Sequence, residues 1–327
     1  MSEALTPSGA PPGGAAPVIA VVVTHNRLSL LRGCVAAIHA QVPRPGRIVV
    51  VDNGSSDGTA EWLNEQRKRI PELIVVRQPN VGSAGAYHTA FETALRFGAA
   101  WIWSTDDDGI PAPGALAELL RQGERHDLDL VGPMVVAVED QADLAFAMHG
   151  HTRAASFVAS ARDGIVPGAI ALFNGTMLRR RVFERIGNVK REMFIWGDEW
   201  EFTLRARRAG LKDGTAVHAR HVHPRNRRTQ RPLAGGLLGT VEEMPANRTT
   251  YFFRNMGYIH ATYEREAIAR MMAKYTLYFL VHRRFDLKGL RGFWSAYRAG
   301  LRNRYPDDLR SAPALAIVPP PEEPASC

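Results

Sequence analysis

The sequence predicts an α/β protein: a mostly parallel sheet flanked by helices, with a helical extension at the C-terminal end. Three observations carry this. Short apolar, β-branched or aromatic runs at Val18–Thr24, Arg47–Asp52, Leu73–Arg77 and Ala100–Ser104 alternate with segments of helical spacing, and that alternation puts strands into a sheet buried on both faces. Polar stretches lead from strand into helix, as at Asp52–Thr59. Beyond Tyr251 the apolar positions Met271, Met272, Tyr275, Tyr278 and Phe279 make a helical face among arginines.

Residues 1–17, rich in Pro, Gly and Ala, offer nothing to bury and are expected to be a disordered leader. The fold starts at Val18. Leu28, Leu31, Val35 and Ile38 give the first helix its sheet-facing side, and the turn Asp52–Thr59 leads into a second helix over Ala60–Ile70. A Gly/Ser/Ala turn, Asn80–Ala86, opens a third over Tyr87–Phe97. Further on, Leu130–Val138 and Gly168–Phe173 read as strands and Met177–Ile186 as a helix or partial helix ending at Gly187. The helix Asp198–Ala209 starts with Asp198, Glu199 and Glu201, ends with Arg205, Arg207 and Arg208, and stops at Gly210, so its charges complement its dipole. The chain divides into an α/β domain over 18–247, a helical region over 248–310 and a disordered tail over 311–327.

With 327 residues, 45% of them hydrophobic and 23% charged, the chain can bury a sizeable core, which excludes disordered and fibrous classes. The net charge of +8 is concentrated: 248–310 holds 13 basic and 5 acidic residues, and the remainder is balanced. Such a segment suits nucleic acid, anionic lipid or a phosphate-bearing substrate. Two cysteines, Cys34 and Cys327, exclude a disulfide framework and fit a reducing cytosol. No apolar run reaches the ~18–20 residues of a membrane span, and Met1–Pro17 lacks the pattern of a signal peptide. A cytoplasmic protein, peripheral to a membrane, is expected.

Ligands of open α/β sheets sit beyond the carboxyl ends of the strands, so Thr24–Arg27, Asp52–Asp57 and Thr105–Gly109 should line one crevice. In the triplet Asp106-Asp107-Asp108 the first and third side chains point the same way, able to share a Mg²⁺ or Mn²⁺ while Asp107 points elsewhere. His218, His221 or His223 can add an imidazole, a ligand that suits Mn²⁺. Asp198, Glu199 and Glu201 lie among tryptophans, which exclude water and raise a carboxylate pKa. One of them can deprotonate an attacking hydroxyl. The amides after Asn80 can approach a phosphate or ribose. Carboxylates at a cleft repel phosphates, which argues against nucleic acid as a partner.

Taken in order, Val21–Arg27 (VVVTHNR), Val49–Asn53 (VVVDN), Asn80-Val81-Gly82, the aspartate triplet and the Asp198-Glu199 helix resemble the motifs of family 2 glycosyltransferases with the GT-A nucleotide-sugar-binding fold. Within that family, the stretches Thr105–Pro111, Pro167–Thr176, Phe194–Arg205, His223-Pro224, Tyr251–Tyr258 and Phe279–Leu290 resemble the initiating galactofuranosyltransferases of actinobacterial cell-wall galactan synthesis. The resemblance implies an inverting, metal-dependent hexosyltransferase. Its donor would be a UDP-sugar held by Thr24, Arg27, Asp52, Asn80, Asp106 and Asp107, and its Mn²⁺ or Mg²⁺ would be bound by Asp106, Asp108 and His223. Glu199 would be the base, with Asp198 the alternative. The acceptor would be a polyprenyl-diphosphate-linked rhamnosyl-GlcNAc, with Arg270, Lys274, Arg283 and Arg284 facing anionic lipid at the inner face of the cell membrane. A rhamnosyltransferase using dTDP-rhamnose is the rival within the fold. A non-catalytic nucleotide-sugar or nucleic-acid binder is the rival outside it.

Overall fold

A computed structural model of the chain describes residues 17–225, 230–233, 236 and 239–318. Four strands, β1 (Val18–Thr24), β2 (Arg47–Asp52), β3 (Leu73–Arg77) and β4 (Trp101–Asp106), pair in parallel in the order β3-β2-β1-β4. Their register puts Thr24 opposite Asp52 and Val23 opposite Asp106, so the polar strand ends share one edge. Side chains alternate along β1. Ile19, Val21 and Val23 enter one apolar cluster, and Val18, Ala20 and Val22 enter another on the opposite face.

Helices α1 (Leu28–His39), α2 (Thr59–Gln66) and α3 (Gly82–Arg96) connect these strands. α1 buries Leu31, Val35 and Ile38, as its spacing predicts, together with Cys34, while Leu28 at its start is half-buried. α2 stops before Ile70, whose successor Pro71 disfavours helical backbone. α3 begins earlier than expected. The small residues Gly82–Ala86 are its first turns, and they let the helix pack tightly against its surroundings.

The chain continues through β5 (Ile110–Pro111), α4 (Ala115–Arg125), β6 (Leu130–Ala137), β7 (Asp143–Met148), β8 (His151–Arg153), α5 (Ala154–Ala159) and β9 (Ile165–Pro167). Then come β10 (Asn174–Arg179), α6 (Arg180–Ile186), α7 (Asp198–Arg208), β11 (Asp213–His223), β12 (Gln230–Pro232) and β13 (Thr240–Glu242). β10 runs antiparallel between β4 and β6, and β11 lies parallel to β6. That brings the end of β11, with His223, towards the polar edge of the sheet.

Between Gly168 and Ile186 one expectation fails and another holds in part, the partial helix being α6, which ends at Gly187 as expected. Gly168–Phe173 is a loop, and the strand falls on Asn174–Arg179, where a helix was expected to begin. The loop is apolar because Leu172 and Phe173 are core residues, and Phe173 stacks on Tyr87 at 3.7 Å. Its carbonyls are satisfied outside a ladder: Ser104 donates to Leu172 O, and Thr176 donates to Ala171 O.

A helical layer follows: α8 (Ala246–Thr262), α9 (Ala267–Leu277), a π-helical turn over Tyr278–His282, α10 (Leu287–Leu301) and α11 (Asp307–Arg310). Its buried residues Phe253, Ile259, Tyr275, Phe293 and Tyr297 belong to the same apolar cluster as Ile19 and Val21 of β1. No described helix is long and apolar enough to cross a membrane. The tail, expected to be disordered from 311, includes a further strand: β14 (Ala316–Val318) pairs antiparallel with β3. Residues 1–16 and 319–327, also expected to be disordered, lie outside the described residues.

Helices α8 and α10 touch backbone to backbone where Gly257 and Gly300 meet, and a methyl group on Gly300 would collide with the Arg254 carbonyl. Gly300→Ala should therefore cost about 1–3 kcal/mol and lower the thermal midpoint. Gly292, on the same helix with nothing near its Cβ position, is the control. Gly292→Ala should stabilise by about 0.5–1 kcal/mol in the same denaturation series.

Candidate active site

A cleft of about 1520 Å³ opens over the polar edge of the sheet. Thr24, Arg27, Asn80 and the aspartate triplet line one side, the Gly168–Asn174 loop and His223 another. Phe194–Trp196, Asp198, Glu199 and Trp200 with Asn247, Arg248 and Tyr251 of α8 complete it.

Asp106 and Asp108 come together, but through a turn rather than through strand alternation, since β4 ends at Asp106 and residues 107–108 turn away from the sheet. Asp106, Asp108 and His223 each offer one ligand atom, all within 4.8 Å of one another. Asp107 turns the other way, accepting from Thr24 Oγ1 at 2.8 Å and from Arg27 Nη1 at 3.0 Å. Arg27 also reaches Asp108 at 2.8 Å. His223 Nδ1 faces the Pro224 carbonyl at 2.6 Å, which directs Nε2 to Asp108 at 3.2 Å. Tyr87, from the first turns of α3, donates to Asp106 at 2.6 Å.

Burial pushes the Asp106 carboxyl up to about 7, helped by the charge of Asp108. Asp108 is also penalised by burial, but the hydrogen bond and charge of His223, with Arg27, outweigh this and hold it at about 2. Burial likewise opposes the charged His223 ring, and Asp108 more than compensates, raising it. Two oxygens and one imidazole nitrogen, under-compensated in charge, form a donor set that fits a divalent cation of the Mg²⁺ or Mn²⁺ kind.

The other histidines separate cleanly. His221 is 1% exposed, held neutral with its pKa lowered to about 3 by burial and the His223 charge, and wedged against Gly109 and Gly175. His218 is exposed on β11, outside the cleft lining.

Across the cleft, α7 presents its acids from a bent segment. Phe194, Trp196 and Gly197 have φ of 63°, 63° and 95°, a left-handed conformation that costs energy for the two aromatics. Asn255 of α8 holds it: its side-chain amide donates to the carbonyls of Met193, Ile195 and Trp196 at 2.8, 3.1 and 2.7 Å. Asp198 is 3% exposed and has one carboxylate oxygen without a hydrogen-bond partner among the described residues. Burial and the Glu199 charge push it up to about 8. Glu199 lines the cleft beside it, whereas Glu201 points away into a pair with Arg205 at 3.0 Å and a hydrogen bond from Tyr263.

Two expected donor-binding positions behave differently. Asn80 lines the cleft, but its oxygen already caps the Gly82 amide at 3.0 Å and accepts from Asn53 at 3.1 Å. Two residues on, the Ala84 amide donates to Phe194 O at 3.1 Å, tying the start of the helix to the bent segment opposite. Asp52 lies beneath the cleft lining, 1% exposed, with Ser55 N donating to it at 2.9 Å and Arg77 at 3.5 Å. Its other oxygen lacks a hydrogen-bond partner among the described residues. Asp57, from the same turn, caps α1 instead. The sequence marks Trp196 and Trp200 beside the acids but does not single out Tyr87, Asn255, Phe194 or Tyr251. The one available signal was aromatic density in Phe194–Trp200 and Tyr251–Phe253.

Fold and cleft together define a glycosyltransferase of the GT-A type, and the chain belongs to glycosyl transferase family 2, whose sequence profile matches residues 19–187. It is 34% identical over 301 residues to the galactofuranosyltransferase GlfT1 of Mycolicibacterium smegmatis, covering 88% of this chain and 97% of that one. To the GlfT1 of Mycobacterium tuberculosis it is 32% identical over 295 residues, covering 88% and 96%. Solved structures share the fold. The mannosyltransferase PcManGT of Pyrobaculum calidifontis, in complex with GDP-Man and Mn²⁺, superposes with TM-score 0.50 at 17% identity over 89% of this chain and 76% of that one. GalNAc-T7 with UDP, GalNAc and Mn²⁺ gives TM-score 0.56 at 15% identity, covering 90% and 58%. Membership of this enzyme family displaces the reading as a non-catalytic binder.

Two outcomes follow from the acidic turn. Asn255→Leu takes the amide from three carbonyls, of which only that of Met193 keeps another donor among the described residues, the Ile195 amide, so it should cost about 2–3 kcal/mol and reduce activity even where the protein remains folded, read by denaturation and turnover together. For Asp198, the folded protein keeps a proton between the ordinary carboxylate range near 4 and about 8 that the unfolded chain releases. Stability is therefore lost as pH rises through that window. Asp198→Asn should remove that loss, gaining on the wild type by a few kcal/mol (about 1.4 per pH unit) between pH 5 and pH 8 in paired melts.

Proposed function

We propose that the protein is a metal-dependent, inverting galactofuranosyltransferase. It transfers galactofuranose from UDP-galactofuranose to a polyprenyl-diphosphate-linked rhamnosyl-GlcNAc in cell-wall galactan synthesis, working at the inner face of the membrane. The observation that carries it is the cleft itself, with Asp106, Asp108 and His223 gathered on one wall and Asp198-Glu199 on the other. The GlfT1 relatives, aligned over nearly their whole length, support the choice of sugar.

Asp106, Asp108 and His223 would hold Mn²⁺ or Mg²⁺, which when bound supplies positive charge against the departing diphosphate. Thr24, Arg27 and Asp107 form a hydrogen-bonded unit at the strand exit that orients the donor, with Asn80 at the cleft wall. Asp52 is the group for the uracil ring, with its Oδ2, which has the Arg77 ion pair at 3.5 Å but no hydrogen bond among the described residues, as the acceptor. Glu199 takes the proton of the acceptor hydroxyl as the oxygen attacks the anomeric carbon from the face opposite UDP. The new C–O bond forms as the bond to the diphosphate oxygen breaks, the electron pair leaving with UDP, and the configuration inverts. Asp198 is the alternative base. Trp196, Trp200 and Tyr251 offer apolar faces for the sugar rings.

A panel of UDP-galactofuranose, UDP-glucose and dTDP-rhamnose with a short lipid acceptor, products read by mass, tests the donor. Incorporation of rhamnose would replace this reading with the rhamnosyltransferase. Asp108→Ala should abolish Mn²⁺-dependent turnover, as should chelation. Tyr87→Phe, which frees Asp106 from its hydroxyl partner, should weaken Mn²⁺ about 10- to 100-fold in a titration. Glu199→Gln should remove transfer while leaving UDP binding within about threefold, since the base acts on the acceptor rather than the donor. If Asp198→Asn does this and Glu199→Gln does not, the two roles exchange.

A further inference from the structure

The segment Phe279–Leu290, conspicuous in the sequence, contributes nothing to the cleft lining, yet it contains the most exposed apolar side chains of the described residues after Val42. We infer that it is a membrane-inserting knuckle: Val281, Phe285 and Leu287 enter the acyl boundary of an anionic bilayer while Arg283, Arg284, Lys288 and Arg291 bind its phosphate headgroups. The inference deepens the membrane-side placement proposed above and assigns it to one structural device.

Val281, Phe285 and Leu287 are 71%, 74% and 64% exposed, and the whole run 281–285 is exposed. The run is not loose. Arg283 N donates to Tyr278 O, Phe285 N to Leu280 O and Asp286 N to Phe279 O, and Asp286 caps α10 by accepting from Gly289 N at 2.8 Å. Backbone groups paired internally are what a segment needs to enter an apolar phase. Arg284 and Phe285 have φ of 51° and 60°, a left-handed turn that a bulky residue rarely adopts. That strain holds the Phe285 ring outward, with no gain from the protein's own core.

The charge around the knuckle selects the occupant. Arg284, Lys288 and Arg291 have no ion pair among the described residues; of the acids close by, Asp286 lies 3.9 Å from Arg283, and Glu243, which also feels the Arg283 charge, is paired with Arg231. A second copy of the chain docked through this face would set the cationic ring against itself. Anionic headgroups complement it, and an apolar tip within a basic ring is the pattern of interfacial anchors. Lys274, expected to face lipid, is half-buried over the Tyr275 ring and does not belong to this set. The knuckle also adjoins the cleft. Tyr278, where the π turn begins, donates to Glu243 at 3.0 Å, and Glu243 precedes the cleft residue Asn247 by four positions, at most about 14 Å of chain.

The test is sedimentation of the full chain with vesicles of equal parts phosphatidylglycerol and phosphatidylcholine, against phosphatidylcholine alone. The wild type should bind the anionic vesicles, and high salt should weaken it. Val281→Ser with Phe285→Asn should lower binding roughly tenfold or more, asparagine being chosen because it tolerates the left-handed backbone. Arg283→Ala with Arg284→Ala should lower it about tenfold and reduce the salt dependence. Both variants should keep the wild-type melting profile and unchanged turnover with a water-soluble acceptor. Binding that is indifferent to lipid charge or to the Phe285 substitution overturns the inference. So does concentration-dependent self-association that Phe285→Asn abolishes. Absence of sugar transfer with intact vesicle binding would instead count against the function proposed above and leave the knuckle standing.

Discussion

The organising constraint is electrostatic: four carboxylates, Asp106, Asp107, Asp108 and Asp198, converge on one buried end of the sheet. Like charges in a poorly solvated place cannot all stay ionised without compensation. The protein answers with Arg27 between Asp107 and Asp108, with His223 on Asp108 and with the Thr24 and Tyr87 hydroxyls. The compensation is partial, and burial with the neighbouring charges raises the Asp106 and Asp198 carboxyls. A cleft so built is suited to a ligand that brings its own positive charge, or to chemistry that moves a proton.

Gathering those groups needs two distant parts of the chain to be held still. On one side the parallel register of β1, β2 and β4 aligns Thr24, Asp52 and Asp106, and β11 brings His223 alongside. On the other, a strained turn presents Asp198 and Glu199, and it persists because the buried Asn255 amide ties three of its carbonyls. Asn255 is itself fixed by a hydrogen bond from Tyr305. The helical layer is thus part of the site's scaffold as well as a basic surface, which explains why it shares one apolar cluster with the sheet.

Misreadings of the fold cluster where local pattern and tertiary role diverge. Gly168–Phe173 has the apolar run of a buried strand, but its residues are buried by Tyr87 and by the cleft wall, and its carbonyls bond to side chains. Asn80–Ala86 reads as a turn ahead of a helix, yet Gly82–Ala86 are already helical, and the Asn53 side chain and the Phe194 carbonyl fix the start of that helix. Ala316–Val318 is too short and too near a proline run to signal a strand. It forms one because β3 leaves an edge open to it.

What the sequence determined by itself were the features with a short repeat: strand alternation, the sheet-facing stripe of α1 and the charge gradient along α7. Each is a consequence of local backbone periodicity, which a few consecutive residues record. Tertiary structure alone decided which histidine of three meets Asp108, that Glu201 turns away while Asp198 and Glu199 face the cleft, that Asp52 lies under the lining, and that Tyr87 and Asn255 support the site. Those outcomes depend on through-space contacts between residues far apart in the chain, 62 positions for Asn255 and Met193 and 116 for Thr105 and His221. No local window encodes such a contact, because the energy that selects it comes from packing and burial of the whole sheet and its helices.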